Sequence, residues 1–375
     1  MDVTRLIWRR WNRRLPTGID RVCLAYLEHF RERAHAVIQH DRFRGILDRK
    51  ASAELFELLA EPRGRFRTDV VSGFLRNLRR LNAQGKHRIY LNIGHTGLNS
   101  PGFCDWCRST DVRPVYLVHD LIPITHPQFC RAGETAKHRA RMRTVLTNGA
   151  GIVGNSQVTI DELAAFAAAE GLPMPPHVVA WLGTEASSSR ALIAGPATFV
   201  VLGTIEGRKN HAMLLRVWSR LIEVLGAQAP RLLIIGQRGW EADCVFDQLD
   251  RPGKLRDHVM ELNDCSDSDI RGHMSTARAL LFPSIIEGYG LPLVEALGVG
   301  VPVIASDLPV FREIARDGPD YLDPSDESAW QRAILDYTRE DSAKRSAQIG
   351  RISGFRPPSW SEHFARVEGL LKALA

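Results

Sequence analysis

Residues 279–295 constrain the fold of this chain more than any other stretch. Ala279-Leu-Leu-Phe282 is short and continuously apolar, the pattern of a buried strand. It runs through Pro283-Ser-Ile-Ile-Glu287-Gly-Tyr-Gly290, a glycine-bracketed turn, into a segment where Pro292 suits the first turn of a helix. A buried strand that passes through glycines directly into a helix is the building unit of α/β proteins. Glycines let backbone approach a ligand closely, and a helix start offers unpaired N–H groups that favour an anion. Glu287 and Glu295 place one carboxylate on each side of the turn, able to accept hydrogen bonds from sugar hydroxyls. These parts suit a nucleoside diphosphate, with phosphates over the turn and ribose against a carboxylate. The same junction also occurs where no ligand binds, so a purely structural reading stays open.

Strand-like and helix-like patterns alternate on both sides of a linker. Before it, 35–39, 88–93, 114–118, 149–154 and 177–181 read as strands. Ile19, Val22, Cys23, Tyr26, Leu27 and Phe30 fall on one helical face after the turn at Pro16-Thr-Gly-Ile. A further helix starts at Ser156 or Thr159 and runs through Ala169, with Thr159 three residues before Glu162 as a capping signal. Gly183-Thr-Glu-Ala-Ser-Ser-Ser-Arg190 has linker composition and divides the chain into domains 1–185 and 186–375. After it come strands at 198–202, 231–235, 279–282, 301–305 and 321–323, with helices such as 212–225 and 269–277 between them. Two successive strand–helix series predict an α/β protein with two doubly wound, Rossmann-like sheets facing a cleft.

Length and composition agree. At 375 residues the chain exceeds one ordinary core. With 44% hydrophobic and 25% charged residues it has the make-up of a soluble globular protein, and a cytoplasmic one by the scatter of its cysteines. No apolar run is long enough to span a bilayer. The first fifteen residues carry five arginines without the apolar centre of a secretory leader, a composition an organellar transit peptide would share. Cys104-Asp-Trp-Cys107 has redox or zinc spacing, but no second such pair completes a metal site, so these read as structural cysteines on a helix. No metal is expected. Residues 1–200 hold 28 Lys and Arg against 18 Asp and Glu, and the remainder 21 against 25. A basic first half suits an anionic partner, such as a membrane surface, a lipid diphosphate or an acidic glycan, or else simply a solvated face. Nucleic acid is disfavoured, because the arginines come without a helix-turn-helix, zinc or RNA-binding aromatic motif. Val3, Leu6, Ile7 and Trp11 form either one apolar stripe of a basic interfacial helix, peripheral on the inner face of a membrane, or a core-packing segment.

Glu287 and Glu295, with Glu-Gly-Tyr-Gly-Leu-Pro between and Gly298-Val-Gly-Val-Pro-Val-Ile-Ala-Ser306 after, resemble the signature of retaining family 4 glycosyltransferases of the GT-B fold. Val201-Leu-Gly203-Thr-Ile-Glu-Gly-Arg208-Lys209-Asn210-His211 resembles the loop that opens their donor domain, and Tyr116-Leu-Val-His119-Asp120-Leu-Ile-Pro123 the strand end that carries a histidine. The resemblance runs from about Val115 onward and is strongest over residues 200–310. It implies a sugar-nucleotide donor, GDP-mannose or a UDP-hexose, a glycan or lipid-linked glycan acceptor, and a role in polysaccharide assembly. It implies that Glu287 contacts the donor sugar, that Glu295 binds the ribose, and that the last helix packs back near the first domain. His119 would hydrogen-bond the donor sugar.

The residues themselves support these roles. Arg208 and Lys209 at a strand end would stabilise charge growing on a leaving diphosphate without a metal. Gly203, Gly288, Tyr289, Gly290 and Leu291 form the two turns expected to hold the donor. Arg238, in Gly236-Gln-Arg238-Gly239-Trp240 after the strand ending at Ile235, is assigned to the donor base and phosphates. Gly18 is expected to turn the first loop at the cleft, although the family's extended glycine-rich loop is reduced here to Thr17-Gly18-Ile19. Each has a bland counterpart: an Arg-Lys pair is commonly solvated, and a histidine at a strand end is commonly a core residue bonded to backbone. A two-carboxylate hydrolase fits poorly, since eight residues across a turn do not naturally put both acids around one bond. A nicotinamide oxidoreductase lacks its Gly-x-Gly-x-x-Gly after the first strand. A non-catalytic sugar-nucleotide or glycan-binding protein on the same scaffold is the remaining alternative.

Overall fold

The computed structural model describes residues 1–12, 17–60, 66–77, 85–184 and 197–374. Packing divides them into two units. The first comprises 1–121, 136–182 and 360–375, the second 122–135 and 183–359. The sequence boundary at 185/186 lies outside the described residues. The last helix groups with the first unit, as the resemblance implied, and 122–135 fold with the second unit, which the sequence reading did not foresee.

In the first unit β1 (Val37–His40) and β2 (Phe43–Ile46) form an antiparallel pair. The expected strand at 35–39 is thus a hairpin arm and not a member of the parallel sheet. Asp41, at a φ of 50°, makes the tight turn that brings β2 back. The parallel sheet runs in the order β3 (Ile89–Asn92), β4 (Arg113–Val118), β5 (Gly151–Gly154), β6 (His177–Val179). The chain start joins hairpin and sheet. The Asp2 N–H donates to the Leu91 carbonyl (2.8 Å) and the Val37 N–H to the Met1 carbonyl (2.8 Å).

Thr4–Trp11 is a helix whose apolar residues divide: Val3 and Leu6 are buried, whereas Trp8 and Trp11 are exposed. The expected single stripe is therefore a core anchor plus two outward tryptophans. Gln157–Glu170 is capped by Ser156, whose hydroxyl accepts from the Thr159 N–H (3.1 Å), so the Thr159–Glu162 signal is not the cap. Cys107 is buried on the helix Phe103–Ser109, and every cysteine is a free thiol. The final helix, Trp360–Leu374, packs on β5 and β6; a Cβ at Gly151 would lie 2.6 Å from Leu374 Cδ1.

The second unit is a six-stranded parallel sheet in the order β12 (Asp320–Leu322), β11 (Val303–Ser306), β10 (Ala279–Phe282), β7 (Thr198–Leu202), β8 (Arg231–Ile235), β9 (Val259–Leu262). Strands β10 and β11 are buried at every position, as a sheet covered on both faces requires. Phe199, Trp218, Leu281 and Trp330 fill its core. β9 has no counterpart in the sequence reading: Val-Met-Glu-Leu at a sheet edge is only half-buried, so no apolar run marks it. Taken within this unit, the order is that of a doubly wound nucleotide-binding sheet, with the reversal between β7 and β10.

Candidate functional site

That reversal matters because the connections after β7 and β10 depart in opposite directions and leave a crevice at the strand ends. Both loops are shaped by glycine where a side chain could not follow. Gly203 ends β7 at a φ of 140°, and Gly290 caps the helix Leu291–Gly298 at 128°, with Pro292 in the first turn. A Cβ on Gly290 would meet Phe311 at 2.8 Å. After Gly203 comes a 3-10 turn, Gly207–Lys209, closed by Asn210 in the left-handed region before the helix His211–Leu225. The loops are stitched together: the Ile285 N–H donates to the Arg208 carbonyl (2.8 Å), and Arg208 Nη1 to the Ile286 carbonyl (3.1 Å).

Between them lies a largely buried charge quartet, whose Arg208 side chain is the most open at 20%. Arg208 Nη2 is 2.6 Å from Glu206 Oε1, and Arg208 Nη1 is 2.7 Å from Glu287 Oε2. Lys209 Nζ donates to Glu287 Oε1 (2.5 Å), which also accepts from Ser284 Oγ (2.7 Å). Side-chain exposures are only 3% for Glu206, 8% for Glu287 and 11% for Lys209. Two cations face two carboxylates, so the cluster is close to neutral. Burial alone would raise the Glu287 pKa, but Arg208 and Lys209 together outweigh it and hold the group at about 2. Burial pulls Lys209 down from its ordinary value, with Glu287 opposing. Lys209 also lies over the Phe282 ring, 4.9 Å from its centroid. Fixed cations at a dry strand end can stabilise negative charge on a ligand at little reorganisation cost.

The structure brings together Gly203, Arg208, Lys209, Glu287, Gly288, Tyr289, Gly290 and Leu291. Tyr289 is buried and shapes the turn, and Leu291 is the first residue of the following helix. Glu295 lies on the second turn of that helix, half-buried. Arg238 is a correction. Its guanidinium is held by Glu261 (2.8 and 2.7 Å) and Asp250 (3.0 and 2.7 Å), so its charge and planar donor fork are already occupied by carboxylates. The glycines around it serve packing: a Cβ at Gly236 would lie 2.0 Å from the Gly203 carbonyl oxygen. Gly18 is a second correction. It is the first residue of the helix Gly18–Phe30, capped by Thr17 and Asp20, and needs no left-handed conformation.

His119 follows β4 in the first unit. It is buried, and its Nε2 pairs with the Ile93 carbonyl at 2.7 Å; burial lowers its pKa to about 4, so the ring is neutral. Nearby, His95 pairs through Nε2 with the Leu117 carbonyl (2.8 Å). Among the described residues no cluster of His, Cys, Asp or Glu is arranged to hold a metal ion. Glu206 is the group the sequence reading missed. It stands just before the 3-10 turn Gly207–Lys209, and that turn folds the Arg208 guanidinium back onto it.

Residues 184–352 match the family model described as glycosyl transferases group 1. Over those residues the chain is similar to a group 1 glycosyltransferase domain. A serotype-specific mannosyltransferase WbdA of Escherichia coli is 28% identical over 270 residues, covering 66% of this chain and 33% of the relative. The O-antigen chain mannosyltransferase B of the same organism is 32% identical over 159 residues, 42% of this chain and 41% of the relative. The chain thus spans about a third of the length of the first and about two-fifths of the second. Anabaena HepE, solved in complex with UDP, superposes with a TM-score of 0.64 at 16% identity, covering 96% of this chain and 97% of that one. At that identity the likeness fixes the fold, which is GT-B with two Rossmann-like units.

Proposed function

We propose that this chain is a retaining, metal-independent glycosyltransferase that moves a hexose, with mannose favoured, from a nucleoside diphosphate sugar to a glycan or lipid-linked glycan during polysaccharide assembly. The observation that carries the reading is the buried quartet of Glu206, Arg208, Lys209 and Glu287 at the switch point of a nucleotide-binding sheet. Mannose and the polysaccharide context rest on the mannosyltransferase relatives, and GDP or UDP as donor nucleotide on the family resemblance.

In this mechanism the bond between the anomeric carbon and the diphosphate oxygen breaks as negative charge grows on the leaving group. Arg208, Lys209 and the N–H groups at the start of Leu291–Gly298 stabilise that charge more in the transition state than in the ground state. The new bond to the acceptor oxygen forms on the same face, and the leaving phosphate takes the acceptor proton. Glu287 accepts hydrogen bonds from the transferred sugar and Glu295 from the ribose. His119 enters through the resemblance, as a group that orients the sugar. The test is a panel of GDP- and UDP-hexoses with the anomeric configuration followed by NMR. Transfer or hydrolysis with retention, unchanged by EDTA, is expected; an inverted product or an absolute divalent-metal requirement overturns it.

The basic first half fits a peripheral place on an anionic membrane. Among the described residues no helix is long and apolar enough to cross a bilayer. Exposed Trp8 and Trp11 share their helix with Arg10, and Arg67 stands over the Trp11 ring at 5.6 Å, a pairing suited to lipid headgroups. Removing residues 1–15 would also remove the buried Val3 and Leu6, so the cleaner variant is Trp8→Ser with Trp11→Ser. Loss of sedimentation with anionic vesicles is expected, and undiminished binding rejects the role.

A further inference from the structure

Residues 122–135 fold with the second unit although the chain on both sides belongs to the first. Trp240 makes a surface contact with them. The Trp240 indole N–H donates to the Phe129 carbonyl (3.0 Å), and the Arg131 guanidinium lies over the Trp240 ring, 4.8 Å from its centroid. Trp240 is half-buried and Arg131 exposed, so the contact adds little to the core.

Behind Trp240 the loops after β7 and β8 run side by side beyond their strands. The Ile205 N–H donates to the Gln237 carbonyl (2.9 Å), Gly239 to Ile205 (3.0 Å) and Gly207 to Trp240 (3.3 Å). No side chain fits between the layers at Gly207. A Cβ there would lie 2.7 Å from the Glu241 carbonyl oxygen and 3.4 Å from the Phe129 ring. Gly207 is therefore held between the 240–241 backbone and Phe129, and Arg208 is the next residue. Within itself the Gly207–Lys209 turn closes through the Lys209 N–H to the Glu206 carbonyl (3.0 Å) and the Asn210 N–H to the Gly207 carbonyl (3.2 Å), and on the β10 side the Ile285 N–H holds the Arg208 carbonyl (2.8 Å).

We propose that Trp240, by clasping residues 127–131 through the Phe129 carbonyl and Arg131, is a positioning residue for the Gly207–Lys209 turn. The inference rests on the donor reading above, because its consequence is the placement of Arg208 and Lys209. It gives Gly236-Gln-Arg-Gly-Trp240 a task other than the base contact expected from sequence. Trp240 touches no reacting atom in this scheme and acts through the turn. Misplacing groups that act on the transition state lowers kcat more than it raises KM.

The test compares Trp240→Ala, Trp240→Phe, which keeps a ring but not the N–H, and the intact protein. Amide hydrogen exchange over 203–210 is the first readout, independent of turnover. Trp240→Ala is expected to speed exchange there by about ten-fold or more, with β10 and β11 unchanged, and Trp240→Phe to fall between. Donor turnover is the second readout: kcat should fall about ten-fold or more in Trp240→Ala, with KM for the donor within about three-fold, and Trp240→Phe should recover part of it. Unchanged exchange at 203–210 overturns the clasp, as does exchange raised throughout the second unit. Faster exchange with undiminished kcat overturns the positioning role. If the intact protein turns over no donor, the donor reading falls while exchange still decides whether Trp240 holds the turn.

Discussion

Replacing Glu287 by Gln removes one charge from the quartet and nearly none of its volume. In the folded protein Glu287 stays ionised down to about pH 2, against 4.5 for an ordinary glutamate. That interval corresponds to about 3 kcal/mol of stability from the ionised group. Lys209 gives part of it back, because burial disfavours its charge. A net loss of about 2–3 kcal/mol at pH 7 is therefore expected, a little under the usual cost of breaking a buried pair. For a unit of this size that is a fall of about 5–10 °C in the melting transition of the second unit. The pH dependence separates this from simple misfit. A depressed carboxylate contributes its full stability above pH 4.5 and loses it as pH falls from there towards 2. The gap between the intact protein and Glu287→Gln should thus be constant from pH 8 to 5 and narrow below 4.5. The assay is calorimetry of both proteins across that range, with the two units' transitions resolved. A variant as stable as the intact protein at pH 7, or a gap that ignores pH down to 3, refutes the view of Glu287 as a buried, ionised partner of Arg208 and Lys209.

Arg208→Lys cannot span Glu206, Glu287 and the Ile286 carbonyl at once, so donor turnover should drop by about 10²–10³ while the fold persists by circular dichroism. Glu295→Gln, on a half-buried helix face, should weaken nucleoside diphosphate sugar binding by about ten-fold in calorimetric titration and leave the melting temperature within about 2 °C. Burial lowers the pKa of His119 to about 4, of His211 to about 3 and of His363 to about 4. Each is neutral in the fold and gains its proton more readily when unfolded, so stability should fall as pH drops from 6.5 towards 4, by up to about 3 kcal/mol per ring. His363→Gln should flatten that slope in urea titrations at pH 7, 6 and 5; an unchanged slope counts against its buried neutral state between Tyr26 and the Ala180 carbonyl.

The elements legible in the sequence were those whose signal is local. β7, β8 and β10 sit where continuous apolar runs placed them, because a strand covered on both faces must be apolar throughout. Gly290 and Pro292 announced a turn into a helix, and backbone conformation is a property of the residue itself. What failed was whatever depends on a partner. β9 lies half-covered at an edge, so Val-Met-Glu-Leu carries no run to read. The strand at 35–39 was visible, but its partner was a hairpin arm. Thr159, three residues before Glu162, carried the capping signal in the sequence, yet the helix is capped by Ser156.

The candidate site divides along the same line. Spacing put Arg208, Lys209 and Glu287 at strand ends beside glycine turns and Glu295 in the helix that follows, since the chain's own periodicity fixes where strands stop, while their roles came from the resemblance. Folding decided which charges meet. Arg238 looked as available as Arg208 in the sequence, yet Asp250 and Glu261 reach it from 12 and 23 residues away. Glu287 comes within 2.7 Å of Arg208 across 78 intervening positions of sequence only because β10 lies beside β7 in the sheet. Local pattern prescribes conformation; pairing between distant side chains is set by the register and order of strands, which no single segment encodes.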